Sequence, residues 1–96
     1  MSPPPPGTMQ RRLEIKNKLG LHARAAAQLI EVTRRFASAI SVGKDDHVVD
    51  GKSIIELMML AAGQGTVLEV SAAGPDAAEA LEAIAALVEG RFNESE

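Results

Sequence analysis

The sequence predicts a small α+β domain, an antiparallel four-stranded sheet with helices on one face and solvent on the other. Three observations predict it. The chain has 96 residues, enough for one domain and not two. Its apolar residues recur with a period of two in some segments and near 3.6 in others. The changes of period fall at breaks rich in glycine, proline and aspartate, which gives the order β-α-β-β-α-β-α.

The elements follow in order. Residues 1–8 read MSPPPPGT, and four prolines before a glycine suit neither helix nor sheet. They are expected to form a flexible tail, with the domain spanning 9–96. Leu13-Glu14-Ile15-Lys16 alternates apolar and charged residues, as a strand with one wet face does. Asn17 to Gly20 breaks that pattern. From about His22 a helix of about four turns is expected. Ala26, Ile30, Thr33 and Ala37 share one face with Leu29 and Phe36 beside them, and Arg24, Gln28, Glu31 and Arg35 lie opposite.

Residues 38–42 and 47–49 read as two short strands, with Gly43-Lys44-Asp45-Asp46 as the turn of a hairpin. Asp50-Gly51-Lys52 is the next break. Ser53 is placed to cap a short helix carrying Ile54, Leu57, Met58 and Ala61. Gly63-Gln64-Gly65 ends it, and residues 66–71 (TVLEVS) form a strand rich in β-branched side chains. After Gly74-Pro75, Asp76 and Glu79 have the three-residue spacing of a capping box. Leu81, Ile84, Leu87 and Val88 then make the apolar stripe of a last helix ending near Gly90.

Composition removes several functional classes. With no cysteine, a disulfide framework, a thiolate nucleophile and a zinc-thiolate site are all excluded. The net charge of -3 comes from mixed acids and bases, so no basic block points to nucleic acid or an anionic membrane. The aromatic residues are Phe36 and Phe92, too few for a base-stacking surface. No apolar run approaches the roughly 20 residues that span a bilayer. Ser2 to Gly7 lacks the charged start and apolar stretch of a signal peptide. Asp45 and Asp46 read as a turn and not as a metal site, and His47 as a solvated hairpin residue. No cofactor is expected. A domain this small buries about two-thirds of its unfolded surface, which leaves little room for an enclosed active site. Its chemistry belongs at the surface.

His22 is the residue placed to carry that chemistry. It stands where loop meets helix. The first turn of a helix has N–H groups without intrahelical partners, and their partial positive charge suits a phosphate. Arg24 follows two residues on, with a guanidinium fork that matches phosphate oxygens. A neutral imidazole nitrogen is a nucleophile toward phosphorus. Taken alone, though, a histidine at a helix start is more often a cap or a surface residue.

The surrounding string adds specificity. Gly20-Leu21-His22-Ala23-Arg24-Ala25-Ala26 closely resembles the active-site segment of the HPr family, the histidine-containing phosphocarriers of the bacterial phosphotransferase system. Asp50-Gly51-Lys52-Ser53-Ile54 resembles the family's second signature at the expected distance. Gly63-Gln64-Gly65-Thr66 and Gly74-Pro75-Asp76 fall in register, so the likeness covers about Met9 to Glu94.

The resemblance implies the family's open-faced β-sandwich and a carrier, not an enzyme. It implies a cytoplasmic location and a phosphohistidine at His22, formed through the δ nitrogen, with Arg24 assisting the phosphate. It implies Enzyme I as phosphoryl donor and EIIA domains of sugar transporters, or relatives in nitrogen and potassium regulation, as acceptors. Ser53 matches a serine that a dedicated kinase, HPr kinase/phosphorylase, phosphorylates in some bacteria. Ile54 and Met58 on the short helix are expected to be part-exposed beside His22 as a docking surface, together with Lys52 and Gln28. Arg34 and Arg35, with Arg24 and Lys52, would add a basic rim that speeds encounter with acidic partners. A monomer is the expected state for a hub that docks partners in turn.

One residue departs from the family pattern. Ala25 stands where the family has proline after the arginine. Alanine is the best helix former, so the helix is expected to survive, and its retained N–H adds a donor for phosphate. Two other classes compete with the carrier. One is a regulatory module of the same fold in which His22 is silent and Ser53 or simple protein binding carries the signal. The other is a small α+β hydrolase of the acylphosphatase type.

Overall fold

A computed structural model describes residues 7–96. The proline run at 1–6 lies outside the described residues. The elements are β1 (Thr8–Glu14), α1 (Ala23–Thr33), β2 (Ala39–Lys44), β3 (His47–Asp50), α2 (Ile54–Met59), β4 (Val67–Ala73) and α3 (Ala77–Glu89), followed by a short 3-10 turn at Arg91–Asn93. The first seven repeat the order read from the sequence.

The four strands form one antiparallel sheet in the order β1-β4-β2-β3. Strand β4 is flanked by β1 and β2, with Leu13 opposite Leu68 and Val42 opposite Val70. Helix α1 therefore leads from β1 over β4 to β2, and α2 leads from β3 over β2 to β4. The period of two decides which side chains meet the helices. Leu68, Val70 and Ala72 of β4 are buried, as are Ile40 and Val42 of β2. They form one apolar cluster with Ala26, Leu29 and Ile30 of α1 and Leu81, Ile84 and Val88 of α3. The opposite face is polar and wet: Gln10 Nε2 donates to Ser71 Oγ at 3.2 Å, and Arg12 pairs with Glu69 at 3.9 Å.

Four local expectations are revised. Strand β1 begins at Thr8, opposite Ala73, and so takes in the last residue assigned to the tail. Its first five residues are all at least partly exposed, so no apolar alternation marked them; pairing with β4 makes them a strand. The β2–β3 turn is the two residues Asp45 and Asp46, with Asp45 in the left-handed region (φ 54°) and Gly43 inside β2. Helix α1 runs three turns instead of four, and Ala37 is exposed beyond its end.

The same residue explains both the short helix and the absent capping box. The Asp76 carboxylate does not cap α3. It accepts from Ala37 N (2.8 Å), Ser38 N (2.9 Å) and Ser38 Oγ (2.6 Å), drawing the chain away from α1 into β2. Those bonds favour the ionised form and hold the Asp76 carboxyl below its ordinary value, the Ser38 hydroxyl first and the Ala37 N–H next. The cap at Ser53 forms as expected: its hydroxyl accepts from Glu56 N at 3.3 Å.

Candidate functional site

The β1–α1 loop and the α2–β4 loop meet at one end of the sheet. Ile15 N donates to Thr66 O, Gly65 N to Ile15 O and Leu21 N to Ala62 O, each at 2.8 Å. Gly20 permits the last of these. Its φ is +68°, and a Cβ there would stand 2.5 Å from Ala62 O. The turn delivers buried Leu21 into the core and places His22 at the N-cap of α1, in an extended conformation (φ -77°, ψ 177°).

Alanine at 23, 25, 26 and 27 then favours helix. The first intrahelical bond runs from Ala26 N to His22 O at 2.8 Å. The N–H groups of Ala23, Arg24 and Ala25 precede it and are left for an external acceptor. No acidic side chain occupies that first turn. Arg24 is exposed at its second position.

The His22 ring does not cap its own helix. Its Nε2 lies 2.6 Å from Glu94 Oε2. Glu94 is held below its ordinary carboxyl value, first by that bond and then by the Asn17 bond and the nearby Arg24 charge, against the opposing effect of burial. An ionised carboxylate accepts only, so Nε2 carries the proton and donates. In the neutral ring, Nδ1 is then the nitrogen with a free lone pair. The ring is 27% exposed, enough for one edge to meet a partner.

Sequence reasoning missed Glu94 and the turn that delivers it. After Gly90, three consecutive non-glycine residues take left-handed backbone: Arg91 (φ 57°), Phe92 (φ 52°) and Asn93 (φ 63°). Phe92 is fully buried and anchors the turn. Asn93 Nδ2 donates to Gln28 Oε1 on α1 at 2.9 Å. Lys18 N bonds to Glu96 O, and Asn17 Nδ2 donates to Glu94 Oε1 at 3.1 Å. The C-terminal residues thus form a strap over the start of α1. Between strap and helix lies a cleft of about 470 Å³, bordered by His22, Arg24, Gln28, Lys18 and Glu94.

His22, Arg24 and Gln28 are therefore brought together. Lys52 and Ser53 are not part of that cluster. Lys52 Nζ donates to Phe36 O, beyond the C-terminal end of α1, and the eleven residues of the helix span about 16 Å. Helix α2 packs against α1 and exposes Ile54, Ile55, Met58 and Met59 while burying Leu57.

A family model described as the PTS HPr component phosphorylation site matches residues 9–90, nearly the whole described chain. The chain belongs to the HPr family. Its relatives include the phosphocarrier protein HPr of Neisseria meningitidis, 48% identical over 88 residues, or 92% of this chain and 99% of the relative. The phosphocarrier protein NPr of Proteus mirabilis is 39% identical over 88 residues, 91% of this chain and 98% of the relative. The crystal structure of HPr from Thermoanaerobacter tengcongensis superposes with a TM-score of 0.89 at 43% identity, covering 92% of this chain and 99% of that one. The open sheet with its helices on one face is thus the HPr fold, and the family's proteins are phosphoryl carriers of the phosphotransferase system. Among the described residues, no helix is long and apolar enough to cross a membrane.

Proposed function

We propose that this HPr-family chain accepts a phosphoryl group on His22 Nδ1 from Enzyme I and passes it to EIIA-type proteins. The observation that carries the reading is the state of the ring: Nε2 is occupied by Glu94, which leaves Nδ1 as the nucleophile at a helix N-terminus. The unpaired N–H groups of the first turn and the Arg24 guanidinium supply donors for phosphate oxygens. Little else is required, because phosphoryl transfer depends mainly on positioning and charge stabilisation. The shallow, open site suits a group that must leave again. The exposed Ile54 and Met58 give α2 an apolar surface for successive partners, and flexible methionine adapts to more than one. Gln28 borders the cleft, and Lys52 adds positive charge farther along.

The test is incubation with phosphoenolpyruvate, magnesium and catalytic Enzyme I, read by intact-mass spectrometry beside His22→Ala. One acid-labile phosphoryl group that requires His22 is the expected result. No adduct with a cognate Enzyme I would reject the carrier reading and leave the regulatory module, with Ser53 as the next residue to test. Offering the phosphorylated protein to EIIA domains of the sugar and nitrogen branches then identifies the acceptor.

A further inference from the structure

We infer that Asn17, Glu94 and His22 form an orienting chain in which Glu94 is a positioning residue for phosphoryl transfer at Nδ1. The inference rests on the carrier reading above and adds a role for a residue distant in sequence. Glu94 uses both of its oxygens. Oε2 accepts from His22 Nε2 at 2.6 Å, and Oε1 accepts from Asn17 Nδ2 at 3.1 Å. Asn17 is fully buried, and the same amide nitrogen donates to Gly20 O at 2.8 Å. The carboxylate is therefore fixed by a side chain that also braces the loop presenting the histidine. Phe92 holds the other end of the strap in the core.

The chemistry needs a carboxylate at this place. When the Nδ1 lone pair forms the N–P bond, the donor's bond to phosphorus breaks and its leaving atom takes the electron pair. No proton leaves the ring, because Nδ1 carried none. The ring becomes a phosphorylated imidazolium with its positive charge shared between the two nitrogens. Nε2–H still faces Glu94, which stabilises that charge as it develops. Transfer onward breaks the N–P bond, returns the electron pair to Nδ1 and restores the neutral ring. Glu94 thus acts in both directions without exchanging a proton. An aspartate plays this part toward the histidine in serine-protease triads. The other charged groups around the pair are Arg24 on α1, Lys18 in the loop and Glu96 on the strap. Arg24 is exposed in the first turn of α1, and as a donor without an acceptor it cannot take the place of Glu94 at Nε2–H.

Glu94→Gln in the full chain tests this, because it keeps the shape and removes the charge. A hydrogen bond to a charged group is worth enough to change a rate roughly ten- to hundredfold. The kcat for phosphorylation by Enzyme I is expected to fall by about that factor while KM stays near the wild-type value. Before any phosphorylation, proton NMR of the wild type is expected to show a slowly exchanging, far-downfield His22 Nε2–H signal that Glu94→Gln shifts or removes. Wild-type kcat in the variant overturns the inference and leaves the carrier function standing. So does a wild-type ring N–H that exchanges too fast to see. If kcat and KM collapse together with the urea transition, the role of Glu94 is structural and the inference is likewise overturned. If wild-type His22 takes no phosphoryl group, the function fails first and the inference falls with it.

Discussion

Three glycines near the histidine allow the loop geometry to be tested by degree. Gly63, Gly65 and Gly20 all belong to the two loops that meet beneath His22. At Gly63 the backbone is not left-handed, and a Cβ would meet nothing within 4 Å. Alanine there is expected to stabilise by about 0.4–1 kcal/mol, by restricting the unfolded chain. At Gly65 a Cβ again has open space, but φ is +89°. The left-handed conformation costs an L-residue about 1–2 kcal/mol, so the net loss is about 1 kcal/mol. At Gly20 the same penalty is joined by a collision. The Cβ would lie 2.5 Å from Ala62 O and 2.8 Å from Gly63 Cα, both backbone atoms that cannot rotate aside. Separating the loops breaks the Leu21 N to Ala62 O bond, and a buried donor left unpaired costs about 1–3 kcal/mol. The expected net loss for Gly20→Ala is about 2–4 kcal/mol. That is a large share of the roughly 5–15 kcal/mol that holds a domain together. Urea melts at equal m-value check the order, and the Gly20→Ala midpoint is expected to fall by more than about 1 M. If Gly20→Ala melts with Gly65→Ala or with the wild type, the two loops do not approach as described. His22 is then not placed by the contact of Gly20 and Leu21 with Ala62.

Two further perturbations concern the N-terminal ends of α3 and α1. Asp76 is held below its ordinary carboxyl value by Ser38 and Ala37, so the stability it adds is present above that ordinary value and lost as pH falls through the lowered one. Asp76→Asn is therefore expected to melt lower than the wild type at neutral pH, with the gap closing in strong acid; thermal melts across that range show whether it closes. Ala25 is the third residue of α1, and its N–H precedes the first intrahelical bond. Ala25→Pro is expected to change stability by no more than about 1 kcal/mol, because no helical bond is lost. A loss of several kcal/mol in a denaturant melt would move the helix start.

What the sequence made legible was local. The Ser53 cap and the existence of the β2–β3 hairpin each depend on residues within a few positions of one another, and each was readable. Sites made by distant contacts were not. Asp76 and Glu79 carry the spacing of a capping box, but Ser38 and Ala37 claim the carboxylate from 38 and 39 residues away. Periodicity holds no record of such a competitor. Glu94 was hidden for a related reason. It reaches His22 across 72 residues, through a left-handed turn built from Arg, Phe and Asn. Turns of that kind are usually announced by glycine. The one available signal was Phe92, an aromatic residue placed after the last helix had ended, where only a return to the core would bury it.

That return gives the strap its character. Three residues in left-handed backbone cost about 1–2 kcal/mol each, somewhat less for the asparagine. Burial of Phe92 returns about 1.5–3 kcal/mol, which falls short of the whole cost. The rest falls to the polar bonds of Asn93, Glu94 and Glu96 with Gln28, Asn17, His22 and Lys18. The strap is therefore held in part by the groups that surround the proposed phosphoryl acceptor. A positive charge developing on the ring strengthens one of those bonds, whereas a phosphate beside Glu94 brings like charge toward the same carboxylate. The two effects oppose each other at a single side chain. Such a balance suits a carrier, because a site that favoured the phosphorylated form by many kcal/mol would not give the group up.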